Sequence, residues 1–203
     1  MMLNKGKTQE IIKKVAKRCL CFIFENNSAL WHVRHLNDNH IEIKATIQVT
    51  VNFTDFSETL EWIKLQNIPW MFNEKEKQVA INGGHFWPNV KHEEAIIGYL
   101  KVGFGNVYIS DYRRIVHFPD HVAYIYDTFI LPEIRGKKIA SHLINETCCF
   151  LEKQDFSRVL CHIPKWNKAS LKAYSRAGFM KKKTICWIKM FGFQILTSNP
   201  ANI

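Results

Sequence analysis

The chain has 203 residues, of which 47% are apolar and 23% charged, and its formal net charge is +10 with a pI near 9.3. These values exclude a disordered chain and favour a packed domain with an anionic partner: a nucleic acid, a membrane surface or a phosphorylated ligand. Six cysteines without a C-x-x-C pair argue against a zinc site, and no apolar run approaches the roughly 20 residues that span a bilayer.

The chain begins with a basic amphipathic pattern over residues 5–18. We interpret residues 1–25 as a basic N-terminal extension, either a solvated helix or a weak contact with a membrane surface. The apolar run at residues 19–24 is too short for a signal-peptide core. The adjacent Cys148 and Cys149 are typical of small buried hydrophobes, so we expect a reducing, cytoplasmic location and no metal.

Strict alternation over residues 40–53 predicts a long strand, because every odd position from Ile41 to Phe53 is apolar and every even position is polar. Helical spacing follows at Phe56, Leu60 and Ile63.

A capping box of Asp55 and Glu58 starts this helix, and Pro69 bars its continuation. From about Val79 the pattern is one of strands and turns. Residues 84–94 form either a mobile loop that offers aromatic and histidine side chains to a ligand or an ordinary connection. Its candidate ligand-binding residues are His85, Trp87 and His92.

The C-terminal half predicts strands at 95–104, 121–131, 158–163 and 183–193, with helices after the second and third of them. The last helix starts at the N-cap Asn167 and ends at the C-cap glycine Gly178. Strands that alternate with helices indicate an α/β or α+β sheet with crossovers.

A basic, glycine-containing junction, LPEIRGKKIASHL, joins the strand at 121–131 to the next helix. Gly136 permits close approach of a ligand to the backbone, and the N–H groups of residues 136–141 could converge on one anion. Neither a P-loop nor a G-x-G-x-x-G motif is present, and no RNP-like aromatic strand pair is found. The junction is therefore a candidate diphosphate site.

Two motifs resemble those of the GCN5-related N-acetyltransferases. RGKKIA, residues 135–140, is similar to the R/Q-x-x-G-x-G/A signature, and IPKWNKASLKAYSRAGF, residues 163–179, is similar to the second motif. The resemblance covers residues 95–190, with Lys138 where the signature usually has glycine. It implies one domain over 1–203 with a mixed, mostly antiparallel central sheet that is splayed between two strands and flanked by helices.

The resemblance implies acetyl-CoA as acyl donor, with two groups of residues that bind it. Backbone groups of the strand would pair with the pantetheine arm, and the N–H of Phe129 or Ile130 would face the thioester oxygen. The junction would hold the pyrophosphate, and Asn167 would reach the CoA arm. The implied donor-binding residues are Thr128, Phe129, Ile130, Arg135, Gly136, Lys137, Lys138, Ile139, Ala140, Ser141 and Asn167.

The resemblance also assigns catalytic roles. Tyr174 falls at the position of the general acid, which protonates the thiolate leaving group. His162 lies on a strand where some members of the family carry a glutamate base, and its intrinsic pKa suits that work. Asp127 is the next candidate base, followed by His85 and His121.

The acceptor implied by the resemblance is a primary amine that attacks directly in a ternary complex. An amino sugar of surface polysaccharide synthesis is favoured, while peptide N-termini, lysine side chains and polyamines stay open. With only 18 acidic residues, a polyamine is less favoured.

The alternative is a binding module, either a CoA-binding domain without catalysis or a basic nucleic-acid-binding domain, although we expect no nucleic acid. Trp187 and Ile188 lie either on a core strand or at a homodimer interface.

Overall fold

The structure, a computed structural model, describes residues 24–36, 41–53, 56–66, 73–190 and 193–197. Most of the predicted N-terminal extension, together with Asp55 and Pro69, lies outside the described residues. The strands are β1 (Phe24–His35), β2 (Thr50–Asn52), β3 (Asn89–His92), β4 (Ala95–Gly103), β5 (Asn106–Ile109), β6 (Arg114–His117), β7 (Val122–Ile130), β8 (Arg158–Pro164), β9 (Met180–Met190) and β10 (Phe193–Leu196). The helices are α1 (Phe56–Gln66), α2 (Glu74–Asn82), α3 (Ile139–Glu152) and α4 (Lys168–Arg176).

Eight of the strands form one sheet in the order β10-β9-β1-β8-β7-β4-β3-β2, and β5 and β6 form a separate hairpin. The β7–β8 pair is parallel, whereas the other neighbouring strands of the sheet run antiparallel. The prediction of a mixed, mostly antiparallel sheet with flanking helices is confirmed. The extent of the domain over 1–203 stays a prediction.

The sheet opens between β7 and β8. Their parallel ladder runs from the pair Val122 and Arg158 to the pair Ile125 and Cys161, whereas both strands continue for several residues beyond it. On the other side of β7 the register shifts at Tyr126, which is the extra residue of a bulge against β4. A bulge bends its strand, so it lies where β7 must turn away from β8.

Two core layers cover the faces of the sheet. On one face, Leu143, Ile144 and Cys148 of α3 pack against Leu100 and Ile125. On the other face, aromatic side chains fill the space under the β5–β6 hairpin and under α1 and α2, namely Trp31, Tyr112, Phe118 and Tyr124, and Trp87, Tyr99 and Phe129. Complete burial of one such side chain contributes about 1.5–3 kcal/mol, so these layers hold the two halves of the opened sheet in place.

The predicted strand at residues 40–53 is wrong for most of its length. Only Thr50–Asn52 pair with a neighbour, β3, whereas residues 41–49 are not part of a ladder. The alternation of exposure still follows the sequence, because the odd residues pack on the α3 side of the core. The segment is fixed from α3 and its preceding turn: His142 Nδ1 donates to the Ile43 carbonyl at 2.7 Å, and the Thr46 N–H donates to the Lys137 carbonyl at 3.0 Å.

Residues 74–82 form helix α2, which contradicts the expectation of strands and turns from Val79. Asn73 caps this helix by accepting a hydrogen bond from the Glu76 N–H at 3.1 Å. The segment at 84–94 is an ordered connection that contains β3, and His85 and Trp87 are buried in it. Among the described helices, none has the length and apolarity to cross a membrane.

Candidate active site

A cavity of about 420 Å³ extends from the open edge of β7 to the start of α3 and the exposed side of α4. Four cationic side chains line it: Arg135, Lys138, Lys172 and Arg176. No carboxylate lines it among the residues that the structure describes. We call it the donor cavity, and its charge suits an anionic ligand.

The N-terminus of α3 is left uncapped at this cavity. Lys138 occupies the N-cap position without a side-chain cap, and the first helical bond of the main chain is from His142 N–H to the Lys138 carbonyl at 3.0 Å. The N–H groups of Ile139, Ala140 and Ser141 therefore have no intrahelical partner, and all three residues line the cavity. Three N–H groups without an intrahelical partner at a helix N-terminus are suited to bind a phosphate oxygen.

The turn before α3 uses two left-handed residues, Gly136 with φ 87° and Lys138 with φ 60°. A Cβ on Gly136 would meet no atom within 4 Å, so it is the backbone conformation that favours glycine there. Of the implied donor-binding residues from Arg135 to Ser141, only Lys137 does not line the donor cavity. Its carbonyl accepts from Thr46 N–H and Oγ1 at 3.0 and 3.3 Å, which holds the turn from behind.

Along β7, the backbone N–H groups of alternate residues face the opening between β7 and β8. Phe129 pairs with Tyr99, and the Leu131 N–H donates to the Ile97 carbonyl at 2.9 Å, so odd residues are turned toward β4. Because N–H groups alternate along a strand, those of Thr128 and Ile130 face the gap toward β8. The expected thioester donor is thus Ile130 or Thr128, and Phe129 does not fit this role, since its N–H lies on the β4 side.

Tyr174 lies where the two halves of the site meet. Its hydroxyl is 2.7 Å from Thr128 Oγ1, and both residues line the donor cavity and a second cavity beyond it. Burial raises the pKa of Tyr174 well above its usual value, while the Thr128 hydrogen bond opposes that rise. When Thr128 donates to the phenol oxygen, the phenol proton is available to a third group.

The second cavity, of about 160 Å³, lies on the other side of the β7–β8 opening, and we call it the acceptor cavity. Asn167, Ser170 and Tyr174 line it from α4 and the preceding turn. Two carboxylates, Asp111 and Asp127, and the imidazole of His162 also line it. In contrast to the donor cavity, no lysine or arginine lines it within the described part of the chain.

His162 is held at both ring nitrogens. Nε2 lies 2.9 Å from Asp111 Oδ2, and Nδ1 lies next to the Tyr124 hydroxyl. Because a carboxylate only accepts, Nε2 carries a proton, and a neutral ring then accepts from Tyr124 at Nδ1. Tyr124 is completely buried, so the lone pair of His162 points into the core, and this geometry argues against His162 as the direct base.

Asp127 reaches the acceptor cavity from β7 with about a third of its side chain exposed. Its Oδ2 accepts from the Tyr99 hydroxyl at 2.6 Å and lies 3.6 Å from Lys101 Nζ. Lys101 is buried and also pairs with Glu76 at 2.6 Å. Burial raises the pKa of Glu76, and Lys101 opposes this shift.

Several residues of this site were not singled out from the sequence. Asp111, Tyr124, Glu76 and Lys101 come together only when four separate elements pack, and none of them belongs to a motif. Lys172 and Arg176 could have been found from the sequence, though only weakly, because two cationic residues four positions apart lie on one face of α4.

The remaining base candidates lie elsewhere in the fold. His85 is buried and donates through Nε2 to the Phe104 carbonyl at 3.1 Å, whereas His121 donates through Nδ1 to the Asp155 carbonyl at 2.8 Å. Neither lines a cavity of the site. Among the described residues, no group of three or more His, Cys, Asp or Glu side chains could hold a metal ion.

Several solved structures have a fold similar to that of this chain. A putative GNAT acetyltransferase of Novosphingobium aromaticivorans is 11% identical with a TM-score of 0.52, covering 80% of this chain and 63% of its own. The glucosamine N-acetyltransferase region of a fungal GH3 β-N-acetylglucosaminidase is 15% identical with a TM-score of 0.56, covering 90% of this chain and 22% of its own. Arabidopsis thaliana Naa50, in complex with the bisubstrate analogue CoA-Ac-MVNAL, is 19% identical with a TM-score of 0.50, covering 68% of this chain and 86% of its own.

At these identities the similarity concerns the fold, which is that of the GCN5-related N-acetyltransferases. The family model for the Acetyltransferase (GNAT) family matches residues 53–179, well over half of the chain. The protein belongs to this family. It spans less than two thirds of the Novosphingobium protein, and no curated protein matches its sequence.

Proposed function

We propose that the protein transfers an acetyl group from acetyl-CoA to a primary amine by direct attack in a ternary complex. The observation that carries the proposal is the position of Tyr174, whose hydroxyl lies at the junction of a cationic cavity and an anionic one. A thioester donor that enters from the first cavity would meet an amine that enters from the second at this phenol.

The donor cavity supplies the groups that CoA needs. The pyrophosphate would accept from the N–H groups of Ile139, Ala140 and Ser141, with Lys138 and Arg135 raising the local potential. The pantetheine amides would pair with Thr128 and Ile130 as a further strand along the open edge of β7. Lys172 and Arg176 lie on the opposite wall and would meet the remaining phosphate charge.

The reaction forms a C–N bond and breaks a C–S bond, and overall one proton passes from nitrogen to sulfur. The amine nitrogen attacks the thioester carbonyl, the negative charge passes to the carbonyl oxygen, and the C–S bond then breaks to give the amide and the CoA thiolate. An N–H of the β7 edge would stabilise the oxyanion, which in other acyl transfers contributes about 2.7–4 kcal/mol.

Tyr174 acts on the leaving thiolate. The raised pKa keeps the phenol protonated at neutral pH, and the Thr128 hydroxyl can donate to the phenol oxygen while the phenol proton points at sulfur. Its role is thus to donate a hydrogen bond, and finally a proton, to the sulfur as charge develops there.

Asp127 is the group that we propose as proton acceptor on the amine side. It lines the acceptor cavity and is partly exposed, and it holds the ammonium by charge until the nitrogen loses its proton. Since only the neutral amine attacks, the rate rises with pH as the acceptor deprotonates. In this proposal His162 positions the cavity wall through Asp111 and Tyr124.

The amino sugar acceptor stays a proposal. The fungal glucosamine N-acetyltransferase region has a similar fold, and this supports a sugar amine, whereas the similar fold of Naa50, seen with a CoA–peptide conjugate, supports a peptide N-terminus equally well. The cytoplasmic location is also a proposal, supported by the free thiols of Cys148, Cys149, Cys161 and Cys186.

A non-catalytic CoA-binding module is the second candidate, because every donor-binding feature would serve it too. The Tyr174–Thr128 pair at the cavity junction favours the enzyme. Nucleic-acid binding has less support, since the cationic side chains of the site line a cavity and not an open face. A homodimer through β9 is not favoured either, because Trp187 is buried in the core and β10 covers the outer edge of β9.

The test measures both the binding of acetyl-CoA and the transfer of its acetyl group. Acetyl-CoA at about 100 times its Kd is expected to stabilise the protein by about 2.7 kcal/mol in thermal unfolding. A screen of amino sugars, diamines, peptides and lysine with thiol detection should then give one free thiol for each amide formed. Stabilisation without thiol release from any amine would favour the binding module, and no stabilisation would contradict the proposal.

A further inference from the structure

Asp127 is held at the acceptor cavity by Tyr99, a residue that lines neither cavity. The Tyr99 hydroxyl lies 2.6 Å from Asp127 Oδ2, and because a carboxylate only accepts, the phenol is the donor. Tyr99 is completely buried, so it does not touch either substrate. An effect of its hydroxyl on the reaction therefore has to pass through the carboxylate of Asp127.

The register of β4 and β7 brings the two residues together. Tyr99 is paired with Phe129 and Lys101 with Asp127, so Tyr99 lies diagonally across from Asp127 on the same face of the sheet. Diagonal neighbours in an antiparallel pair are within reach of an aromatic side chain. The contact thus follows from the pairing of two strands of the sheet.

Asp127 lies at a point of the sheet where the direction of a side chain needs an anchor. Its neighbour Tyr126 is the extra residue of the bulge, and a bulge disrupts the ladder and redirects the side chains near it. Lys101 Nζ lies 3.6 Å from the same Oδ2 and 2.6 Å from Glu76 of α2, and it lines neither cavity. A carboxylate that Tyr99 no longer holds therefore has an ammonium outside the cavity within reach.

Packing fixes the position of the Tyr99 hydroxyl. The ring is stacked on Phe129 with centroids 5.9 Å apart, and it makes an edge contact with Trp62 of α1 at 6.1 Å. Burial raises the pKa of Tyr99, and the nearby charge of Asp127 adds to this rise. The phenol therefore keeps its proton at neutral and moderately alkaline pH and remains a donor to Asp127.

We propose that Tyr99 is a positioning residue for the acetyl transfer, which holds Asp127 Oδ2 and so leaves Oδ1 to accept the proton of the acceptor amine. The inference rests on the function proposed above, in which Asp127 is the proton acceptor. The proton that leaves the amine nitrogen passes to Asp127, while Tyr99 keeps its own. The contribution of Tyr99 is greatest when the amine arrives as an ammonium that Asp127 must bind and deprotonate.

The test uses Tyr99→Phe, which removes the hydroxyl and keeps the ring. The acceptors are glucosamine, 1,4-diaminobutane, lysine and trialanine at saturating acetyl-CoA, and the one with the highest turnover is used. We expect kcat/KM for this amine to fall by about tenfold or more near pH 7. The Kd of acetyl-CoA, measured by calorimetry, should stay within about twofold. The loss should shrink as the pH is raised to about 9.5, because more of the amine is then neutral.

Three comparisons separate this role from a general effect on the fold. In the D127N background, Y99F should change kcat/KM by no more than about twofold, because the base that Tyr99 orients is gone. The matched control Tyr108→Phe, at another buried tyrosine that lines neither cavity, should keep wild-type kinetics. A crystal structure of Y99F should show the Asp127 carboxylate in a new orientation or in more than one.

Four results would overturn the positioning role while transfer stands: wild-type kcat/KM in Y99F, an equal loss in the D127N background, a loss that is the same at every pH, or an unchanged orientation of Asp127 in the Y99F crystal. Loss of acetyl-CoA binding in Y99F would show a general structural role and overturn it too. Wild-type turnover of D127N would contradict the assignment of Asp127 as proton acceptor. A wild-type protein that binds acetyl-CoA but acetylates none of the amines would overturn the transferase function itself.

Discussion

Tyr174 is the residue on which the proposed chemistry depends most, because it touches both cavities and its only described side-chain hydrogen bond is to Thr128. We expect Tyr174→Phe to lower kcat by about 10²-fold or more, since the thiolate loses its proton donor, and to leave the Kd of acetyl-CoA within about twofold. Steady-state kinetics and calorimetry measure the two quantities.

The matched control is Tyr108→Phe, at a buried tyrosine that lines neither cavity, and it should keep wild-type turnover. Equal turnover of Y174F and wild type at saturating substrates would remove Tyr174 from the acid role.

Lys138 and Gly136 provide a second residue-level test, because both are left-handed but only one is glycine. Left-handed backbone costs a non-glycine residue about 1–3 kcal/mol. Lys138→Gly should therefore raise the free energy of unfolding by up to about 1 kcal/mol, while Gly136→Ala should lower it by about 1 kcal/mol or more.

Acetyl-CoA should bind K138G within about fivefold of the wild type, because the N–H groups of α3 remain. Urea unfolding and calorimetry measure both effects. A destabilised K138G, or an unchanged G136A, would show that this turn is not held in the conformation described here.

Arg34 joins three elements behind the donor cavity. Its Nη1 donates from β1 to Asn145 Oδ1 on α3 at 2.9 Å and to the Ala177 carbonyl after α4 at 3.0 Å. Both Asn145 and Ala177 are buried, so Arg34→Met would leave them without this partner. We expect the free energy of unfolding to fall by about 3 kcal/mol.

Urea unfolding measures this change, and Arg114→Met, at an exposed arginine of β6, is the control that should change stability by less than about 0.5 kcal/mol. An R34M protein as stable as the control would mean that the helices are held by apolar packing alone.

The elements that the sequence predicted correctly are those with a local signal. α3 repeats its apolar residues at helical spacing, and α4 carries its own N-cap in Asn167 and a left-handed glycine in Gly178. The prediction of a strand over residues 40–53 was wrong because alternation of apolar and polar residues indicates only that one face of the segment is buried. Here helix α3, and not a neighbouring strand, fixes most of that segment, and no local pattern distinguishes the two.

The two halves of the candidate site also differ in how far the sequence could predict them. Most of the donor half lies within or close to two continuous motifs, so many of its candidate residues could be named from the sequence, whereas Lys172 and Arg176 were not. The acceptor half is assembled from the turn after β5, β7, β8 and α4, with Lys101 of β4 behind Asp127, and Asp111 reaches His162 across 51 residues of chain. A contact between residues so far apart in the chain produces no recognisable spacing in the sequence. A buried lysine such as Lys101 also cannot be distinguished in the sequence from lysines that lie at the surface.

At the scale of the whole molecule, the net charge agrees with the lining of the donor cavity and not with that of the acceptor cavity. The charge of +10 favoured an anionic ligand, which the donor cavity suits, but the sum hid the two carboxylates of the acceptor cavity. A formal total averages over all faces of the protein, so it cannot describe two neighbouring cavities whose charged lining differs in sign.

The stability of the whole fold should depend on pH through two buried histidines. Burial lowers the pKa of His85 and of His32 below the usual 6.5. A lowered pKa means that the unfolded chain binds protons first on acidification, so the stabilisation is present above pH 6.5 and is lost as the pH falls through the folded-state pKa. We expect Tm to fall between pH 7.5 and pH 5.

His85→Gln should flatten this decline in Tm, while His35→Gln, at an exposed histidine, should not. Thermal unfolding at several pH values measures both. An unchanged Tm between pH 7.5 and pH 5 in the wild type, or equal flattening by both variants, would contradict the assignment.

The account as a whole depends on an open strand edge that CoA completes, and amide hydrogen exchange by NMR measures this edge directly. We expect the N–H groups of Thr128 and Ile130 to exchange fast in the free protein and to become protected by about 10²-fold or more when CoA is bound, because pantetheine supplies their partners. Phe129, already paired with β4, should be protected in both states. Saturation with CoA that leaves Thr128 and Ile130 exchanging as fast as before would contradict the account.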